Sequence, residues 1–494
     1  MRSPVVCRLL AATLSLLLCC TAACQRTEQG RTDVTVIGPD APAMTDPAGE
    51  PLGEPQAVLL SNVAQGLVRF DASGQIVPGL AERWNVTDDG LSYIFRLEAA
   101  TWPNGRKITA EQVARLLRRQ IATRSKNPLK DTLGAVDQIV AMTDRVIEIS
   151  LNAPRPNLLA LLAQPELALI YEKQGSGPFA IDADSKPPRL VLVRTVSDLD
   201  EDVTRRDEVS LLSAPAPAAV RAFIADRTDL VLGGTYADLP YAHAGKLPRD
   251  ALRFDPAAGL FGLVPVRDDG VLADLELRKL LAQAIDRQAL IEAFSVPGLL
   301  PRATVLEPGL EGVPDPTPPQ WLALPIAGRR LQLAARASQL FAGDERPTVR
   351  VALPEGPGAR ILLNRLASDW GVLGLTVERA GPGDPADLKL LDAVAPSASP
   401  AWFLRQFRCG IVPICDIAAD ELMDGARSTP VPAQRNGLLQ QAAQVIDEQQ
   451  LFIPIAAPIR WSLVSDRVQG FATNRYARHS LAGLRERLDR NRGE

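Results

Sequence analysis

Residues 78–113 limit the possible folds more than any other stretch, because a period-2 pattern gives way there to a period-3.6 pattern with clear punctuation between them. Asp88-Asp89-Gly90 is a turn: Asp bonds its own backbone and Gly accepts positive φ. Tyr93, Phe95 and Leu97 alternate with Ile94 and Arg96, which predicts a strand buried on one face. Pro103-Asn104-Gly105 marks a second turn. Thr109 and Gln112 then form a capping box, in which Thr109 caps a helix and Gln112 reaches back. Val113, Leu116, Leu117 and Ile121 make its apolar stripe, with Arg115, Arg118 and Arg119 outward. Trp84, Tyr93, Phe95 and Trp102 read as core.

The same alternation continues along the chain. Strands are expected at 33–37, 136–140, 146–151, 190–194, 228–232, 260–264, 348–353, 375–379 and 387–391. Between them lie helical stripes: Val220 to Asp226, Leu277 to Phe294 behind an Asp274 N-cap, Ile361 to Trp370, and Leu438 to Ile446. Residues 297–326, rich in Pro and Gly, read as loop. Interleaved strands and helices predict an α/β fold. With 494 residues there is material for two or three packed units, and 41 Pro with 35 Gly argue against a helical bundle.

Several function classes lose support at this level. A net charge of −4 without a basic run gives no nucleic-acid signature. The two histidines, His243 and His479, lie far apart without acidic company, so no metal or cofactor is expected. G-x-S-x-G, H-E-x-x-H and S-x-x-K do not occur with supporting context, which speaks against an enzyme. Gly175-Ser176-Gly177 is followed by no helix that could help cradle a phosphate. Asp286-Arg287 reads as a surface pair at a helix break.

The N-terminus reads as an export signal. Arg2 and Arg8 precede an apolar core, Leu9 to Cys20, that is too short for the ~20 residues of a bilayer-spanning helix. Thr21-Ala22-Ala23-Cys24 resembles a lipobox and favours lipidation of Cys24 after removal of residues 1–23; an ordinary secretory signal with an incidental Cys is the rival. Cleavage there takes the formal charge to −6 by removing Arg2 and Arg8. Residues 24–32 would form a lipidated tether, and Gln25 leaves the choice of inner or outer membrane open. Only Cys409 and Cys415 then remain in the body. In an oxidising compartment they read as a disulfide, with a metal pair as the alternative.

Together these motifs resemble family 5 of the extracellular solute-binding proteins, the peptide- and nickel-type receptors of ABC importers. Pro78, Leu80, Ala81 and Trp84 match its opening; Asp89, Gly90, Tyr93, Phe95 and Leu97 follow, then Trp102, Gly105, Ile108, Thr109, Ala110 and Val113, with Gln112 where the family has Asp. Gly175 to Phe179, Leu277 to Arg287, Pro454-Ile455 and Val468 to Phe471 extend the likeness over about residues 55–475. The resemblance implies a class II periplasmic-binding-protein fold: two α/β lobes joined by crossover strands, with an extra subdomain in the first lobe. Lobe I is expected at 33–258 and 462–494 (accessory subdomain about 50–175) and lobe II at 259–461. It implies a periplasmic, monomeric lipoprotein, anchored to a membrane by its lipid, that captures a small or oligopeptide solute by hinge closure and delivers it to permease subunits. A structural or envelope-assembly lipoprotein that has lost transport is the alternative, and an exported enzyme a more distant one. Asp392 and Trp402 flank the stretch where family members anchor a peptide amine, although Pro396 and Ser399 stand where the acids would be. Phe261 lies at the first crossover; Asn474 and Tyr476 follow the return to lobe I. Each of the five is as readily core or rim as ligand contact.

Overall fold

The computed structural model of the chain describes residues 30–198, 203–341, 347–381 and 383–486. The leader and Cys24 lie outside them. Three sheets organise the rest. The largest has seven strands: β12 (Leu252–Phe254), β18 (Arg460–Val464), β11 (Leu230–Thr235), β1 (Gly30–Ile37), β10 (Val203–Ala214), β9 (Arg189–Asp198) and β8 (Ala180–Ile181), in that spatial order. β1 runs parallel to both β10 and β11. It begins at Gly30, so residues 30–32, expected in the tether, are strand instead. β18 comes from far downstream and slots antiparallel between β11 and β12.

The second large sheet orders β15 (Thr376–Ala380), β14 (Thr348–Ala352), β16 (Leu388–Val394), β13 (Gly259–Pro265) and β17 (Ile453–Ala456). All seven residues of β13 are buried, as expected for a strand covered on both faces. Its alternation sorts them. Phe261 and Leu263 join the core under helices Leu275–Ala284 and Pro357–Gly371. Leu260 and Val264 join the opposite core, under helices Ile417–Ser428 and Pro432–Glu448. The two large sheets are the frames of two lobes, and the chain passes between them at 255–258 and 457–459.

A third, antiparallel sheet, β4 (Ala81–Val86), β5 (Ser92–Leu97), β7 (Val146–Leu151) and β6 (Val136–Thr143), carries the helix Ala110–Ile121 on one face. Two small antiparallel pairs, β2 (Val68–Phe70) with β3 (Ile76–Pro78) and β19 (Val468–Gln469) with β20 (Arg485–Glu486), finish the topology. The expected capping box is present: Gln112 N donates to Thr109 Oγ1, and Gln112 Oε1 accepts from Thr109 N. The same Oε1 accepts from the indole of buried Trp102 at 3.1 Å. One amide therefore caps the helix and satisfies a core tryptophan, which gives Gln112 a purpose where the family pattern has Asp. Tyr93, Phe95 and Trp102 are core as expected; Trp84 is only partly buried against it.

The glycines of Gly175-Ser176-Gly177 lie flat on the end of the helix Glu54–Val63. A Cβ on Gly177 would approach Asn62 O to 2.6 Å, and Gly177 N donates to Val63 O. Close backbone approach accounts for this motif.

Some expectations need correction. The loop expected over 297–326 contains a 3-10 turn, Gln320–Ala323, and a helix, Ile326–Leu340, begins at its last residue. That helix buries only Arg329, Leu333 and Ala337, too thin a stripe to stand out in the sequence. Asp286-Arg287 is not a surface pair. Asp286 caps the helix Arg287–Phe294, while Arg287 is buried and donates to Pro454 O and Ala282 O. Burial pulls its pKa down to about 9. Cys409 and Cys415 form a disulfide, which closes the loop ahead of the helix Ile417–Ser428.

Two outcomes follow for stability. Gln112→Ala removes a cap and strands the Trp102 N–H, so it should cost ~1–3 kcal/mol in urea unfolding; an unchanged midpoint would refute the shared role. Asp447, on the helix Pro432–Glu448, accepts from Val305 N, and burial raises its pKa to about 7. The folded state therefore holds this proton more tightly than the unfolded chain does, where a carboxyl titrates near ~3.9. Its contribution is complete below about pH 4 and is lost as pH rises through about 7. Asp447→Asn mimics the protonated form and should raise Tm on the order of 2 °C at pH 8 relative to pH 5; equal gaps in mutant and wild type would contradict this.

Candidate functional site

The seam between the lobes forms a half-open cavity of about 280 Å³. Its first-lobe wall carries Gln164, Glu166, Tyr476 and Arg478; its second-lobe wall carries Val394 to Pro396, Trp402 and Arg405. A void of about 30 Å³ adjoins it, shares Gln164 and Arg478, and has room for little beyond a water.

The first-lobe wall is held by local geometry. Pro165 starts the 3-10 turn Pro165–Leu167, and Gln164 precedes it with its side chain uncommitted to the turn. Gln164 Nε2 instead donates 2.8 Å across the seam to Pro396 O. Glu166 follows, its backbone oxygen fixed by the Asn127 amide at 2.6 Å. Its Oε1 accepts from Arg478 Nη2 at 2.8 Å, and Arg478 Nη1 reaches Glu54 Oε2 at 3.3 Å. Burial draws the Arg478 pKa down, but the two carboxylates more than offset it and hold it above its usual value. Glu166 Oε2 is buried, with no hydrogen-bond partner among the described residues.

Asn474 builds the loop that presents Tyr476 and Arg478. Its Oδ1 accepts from Tyr476 N and Arg478 N, and its Nδ2 donates to Ala72 O and Arg478 O. With its amide fully committed, Asn474 is buried behind the wall. The Tyr476 ring stacks on Phe70 at 4.5 Å, and burial raises its hydroxyl pKa. Across the cavity, Trp402 on the helix Pro400–Arg405 meets Phe403 edge-on and remains 8% exposed. Arg405 on the same helix reaches back to Thr132 and to Asp131 of the first lobe.

Of the five residues singled out in the sequence, Trp402 and Tyr476 thus meet at the cavity. Asp392 and Phe261 are paired neighbours on β16 and β13, behind it. Phe261 packs edge-on against Tyr236. Asp392 receives Arg460 Nη1 at 2.8 Å, so its carboxylate already has a cation; burial still raises its pKa, against the opposing pull of Arg460. Gln164, Glu166, Arg405 and Arg478 of the walls were not recognised in the sequence. The available signal was a lone charge: Glu166 is the single charged residue in Leu158 to Ile170.

The lining combines two aromatic rings, amide and carbonyl groups and paired charges, which is the equipment of a small-molecule binding site. Among the described residues no cluster of three His, Cys, Asp or Glu is placed to hold a metal, and no helix is long and apolar enough to cross a membrane.

The Asp392–Arg460 pair can be tested directly. Asp392→Ala leaves a buried guanidinium without its acid and should cost ~3 kcal/mol, whereas Asp392→Leu combined with Arg460→Met should recover most of it in thermal unfolding. Equal losses in the two proteins would remove the pair from its bracing role.

Known proteins share this architecture. The model for "Bacterial extracellular solute-binding proteins, family 5 Middle" matches residues 75–391. A probable di/tripeptide-binding protein 5 of Pseudomonas aeruginosa is 25% identical over 482 residues, covering 84% of this chain and 88% of that protein. Di/tripeptide-binding protein 1 of the same organism is 24% identical, with 88% and 92% covered. Among solved structures, Haemophilus influenzae OppA in complex with RPPGFSPFR aligns at a TM-score of 0.78 with 16% identity, covering 93% of this chain and 99% of that one. The Escherichia coli murein tripeptide binding protein MppA aligns equally well at 18% identity, with the same coverage. These structural likenesses carry the two-lobe fold, and the family match covers the greater part of the chain: it belongs to family 5 of the bacterial extracellular solute-binding proteins.

Proposed function

We propose that this chain is the periplasmic receptor of an ABC importer, anchored through lipid on Cys24, and that it takes a di- or tripeptide-sized solute into the interlobe cavity. Ligand contacts to both walls would favour the closed arrangement, which would then dock on permease subunits. The observation that carries this reading is the cavity itself, walled by both lobes and bridged by the Gln164–Pro396 hydrogen bond. Its size supports a small ligand: about 280 Å³ lies just under the ~300–1,000 Å³ usual for small-molecule sites. The relatives named for di- and tripeptides agree in ligand scale. No catalytic chemistry is required for this role.

Calorimetry with a mixed pool of di- to pentapeptides tests it. Binding in the micromolar range or tighter is expected, strongest for the short members. Ligand at 100 times Kd should add ~2.7 kcal/mol to stability and raise Tm. A pool giving neither heat nor a change in Tm would sink the reading.

A further inference from the structure

Arginines converge where Pro154 of the first lobe meets the helix Pro432–Glu448 of the second. Arg155 follows β7, and Tyr93 Oη fixes its backbone by donating to Arg155 O at 2.8 Å. Arg155 Nη1 donates to Pro154 O at 3.0 Å. Arg435, in the first turn of the helix Pro432–Glu448, donates its Nη1 to the same oxygen at 3.0 Å. The two guanidinium nitrogens therefore lie within about 6 Å of each other, and their like charges repel. Arg427, near the end of the helix Ile417–Ser428, adds a third positive charge felt at Arg155. None of the three lines the interlobe cavity. We propose that Arg155 and Arg435, with Arg427 at their edge, form a site for a free tetrahedral oxyanion of the phosphate or sulfate class, which bridges the two lobes outside that cavity.

The missing counter-charge supports this. Neither Arg155 nor Arg435 has an ion-pair partner among the described residues; Pro154 O is the acceptor of each. The acids of neighbouring elements are engaged elsewhere or stand in solvent. Asp424 pairs with Arg408 and Arg427, and Asp420 lies beside Arg408 and accepts from Cys409 N. In the turn before β5, Asp89 accepts from Thr87 Oγ1 and Leu91 N, and Asp88 is exposed. Glu311, whose neighbour Gly312 lies against the Asn436 side chain, is exposed as well. Burial lowers the Arg155 pKa, with Arg435 and Arg427 adding to the effect, and burial lowers that of Arg435. A half-buried pair of like charges is unfavourable as it stands, and an anion between them reverses the sign of the interaction. Each guanidinium presents a planar fork of five N–H donors, of which these two spend one each on Pro154 O. The remaining donors match the several oxygens of a phosphate. Because Arg155 and Arg435 belong to different lobes, the anion turns repulsion across the seam into a bridge. Their recessed position suits a free anion better than a headgroup held in a flat bilayer.

Titration calorimetry with inorganic phosphate, at fixed ionic strength in chloride buffer and without peptide, tests the site. Wild-type protein should bind one phosphate saturably, with a Kd of about 1 mM or tighter, and sulfate should compete. Arg155→Gln and Arg435→Gln should each weaken phosphate at least about tenfold. Should either fail to fold, Arg435→Lys keeps the charge, loses the fork, and should weaken phosphate several-fold. Arg115→Gln, at an exposed cation on the helix Ala110–Ile121, should leave binding unchanged, which separates a built site from general charge attraction. A wild type without saturable heat, or variants at Arg155 and Arg435 that keep wild-type affinity, overturns the site. Vesicles containing phosphatidic acid should give no heat; binding to them and not to free phosphate overturns the assignment to a free anion. No peptide is present in these titrations, so their failure leaves the receptor reading standing.

Discussion

The Asp392–Arg460 ion pair is the brace on which the two-lobe arrangement depends. Arg460 opens β18 in the first large sheet, and Asp392 lies on β16 of the second, in register with Phe261 of β13. β13 is the strand by which the chain enters the second lobe, and Arg460 marks where it returns. The pair therefore fastens the outgoing crossing to the returning one. Both side chains are more than four-fifths buried, so neither can relax into solvent if its partner leaves. Immediately beyond Arg460, the indole of Trp461 fills the space that Gly234 leaves open and donates to Thr235 O. The brace thus sets the register of β18 between β11 and β12, and with it the first-lobe face of the seam.

Behind the seam the lobes share apolar packing. Tyr236 of the first lobe meets Phe261 and Phe294 of the second edge-on, within one continuous core. Gly358 N donates to Ala237 O across the same junction. A Cβ on Gly358 would come within 1.9 Å of Tyr236 O, so the backbones approach as closely as their atoms allow. Burial pushes the Tyr236 hydroxyl well above its usual range. The back of the cleft is therefore tight and largely apolar, whereas its mouth is bridged by polar groups.

Legibility in the sequence follows the range of the interactions involved. The run from Asp88 to Ile121 was readable because each signal is local: an Asp-Gly turn, a period-2 strand, a capping box. The Cys409–Cys415 disulfide was readable because no other cysteine follows residue 24. Other features depend on distant partners. The helix Ile326–Leu340 covers the core with an arginine stem, a leucine and an alanine, and its Leu331 faces solvent, so no apolar stripe announces it. Arg287 reads as a surface residue until Pro454 and Ala282 supply the carbonyls that let it sink. At the site, aromatic character pointed to Trp402 and Tyr476. Asp392 looked available because Arg460, 68 positions away, is invisible from its neighbours. Glu166 was missed for the converse reason: its sequence neighbourhood is apolar, and the acid and arginine that give it meaning come from residues 54 and 478.

The contrast between a packed, apolar back and a polar mouth bears on how such a cleft would respond to solute. Closing contacts at the mouth are few and individually weak. Gln164 donates to Pro396 O, Arg435 to Pro154 O, and Arg405 to Asp131, whose carboxylate is 70% exposed. A neutral hydrogen bond such as Gln164–Pro396 contributes ~0.5–1.5 kcal/mol net, one from a charged guanidinium such as Arg435 ~1.5–3 kcal/mol, and an exposed ion pair ~0–1 kcal/mol, before the entropy of ordering long side chains is subtracted. Under the proposed closure mechanism, closing without ligand would rest near balance, with the packed back of the seam holding the lobes together. In that regime a modest preference of the solute for the two-walled cavity decides the population: a few kcal/mol shifts a balanced equilibrium by ~100-fold. Stronger bridges at the mouth would close the cleft empty and leave the ligand nothing to control. Weak bridges over a packed back would, in the proposed mechanism, let a small ligand act as the switch.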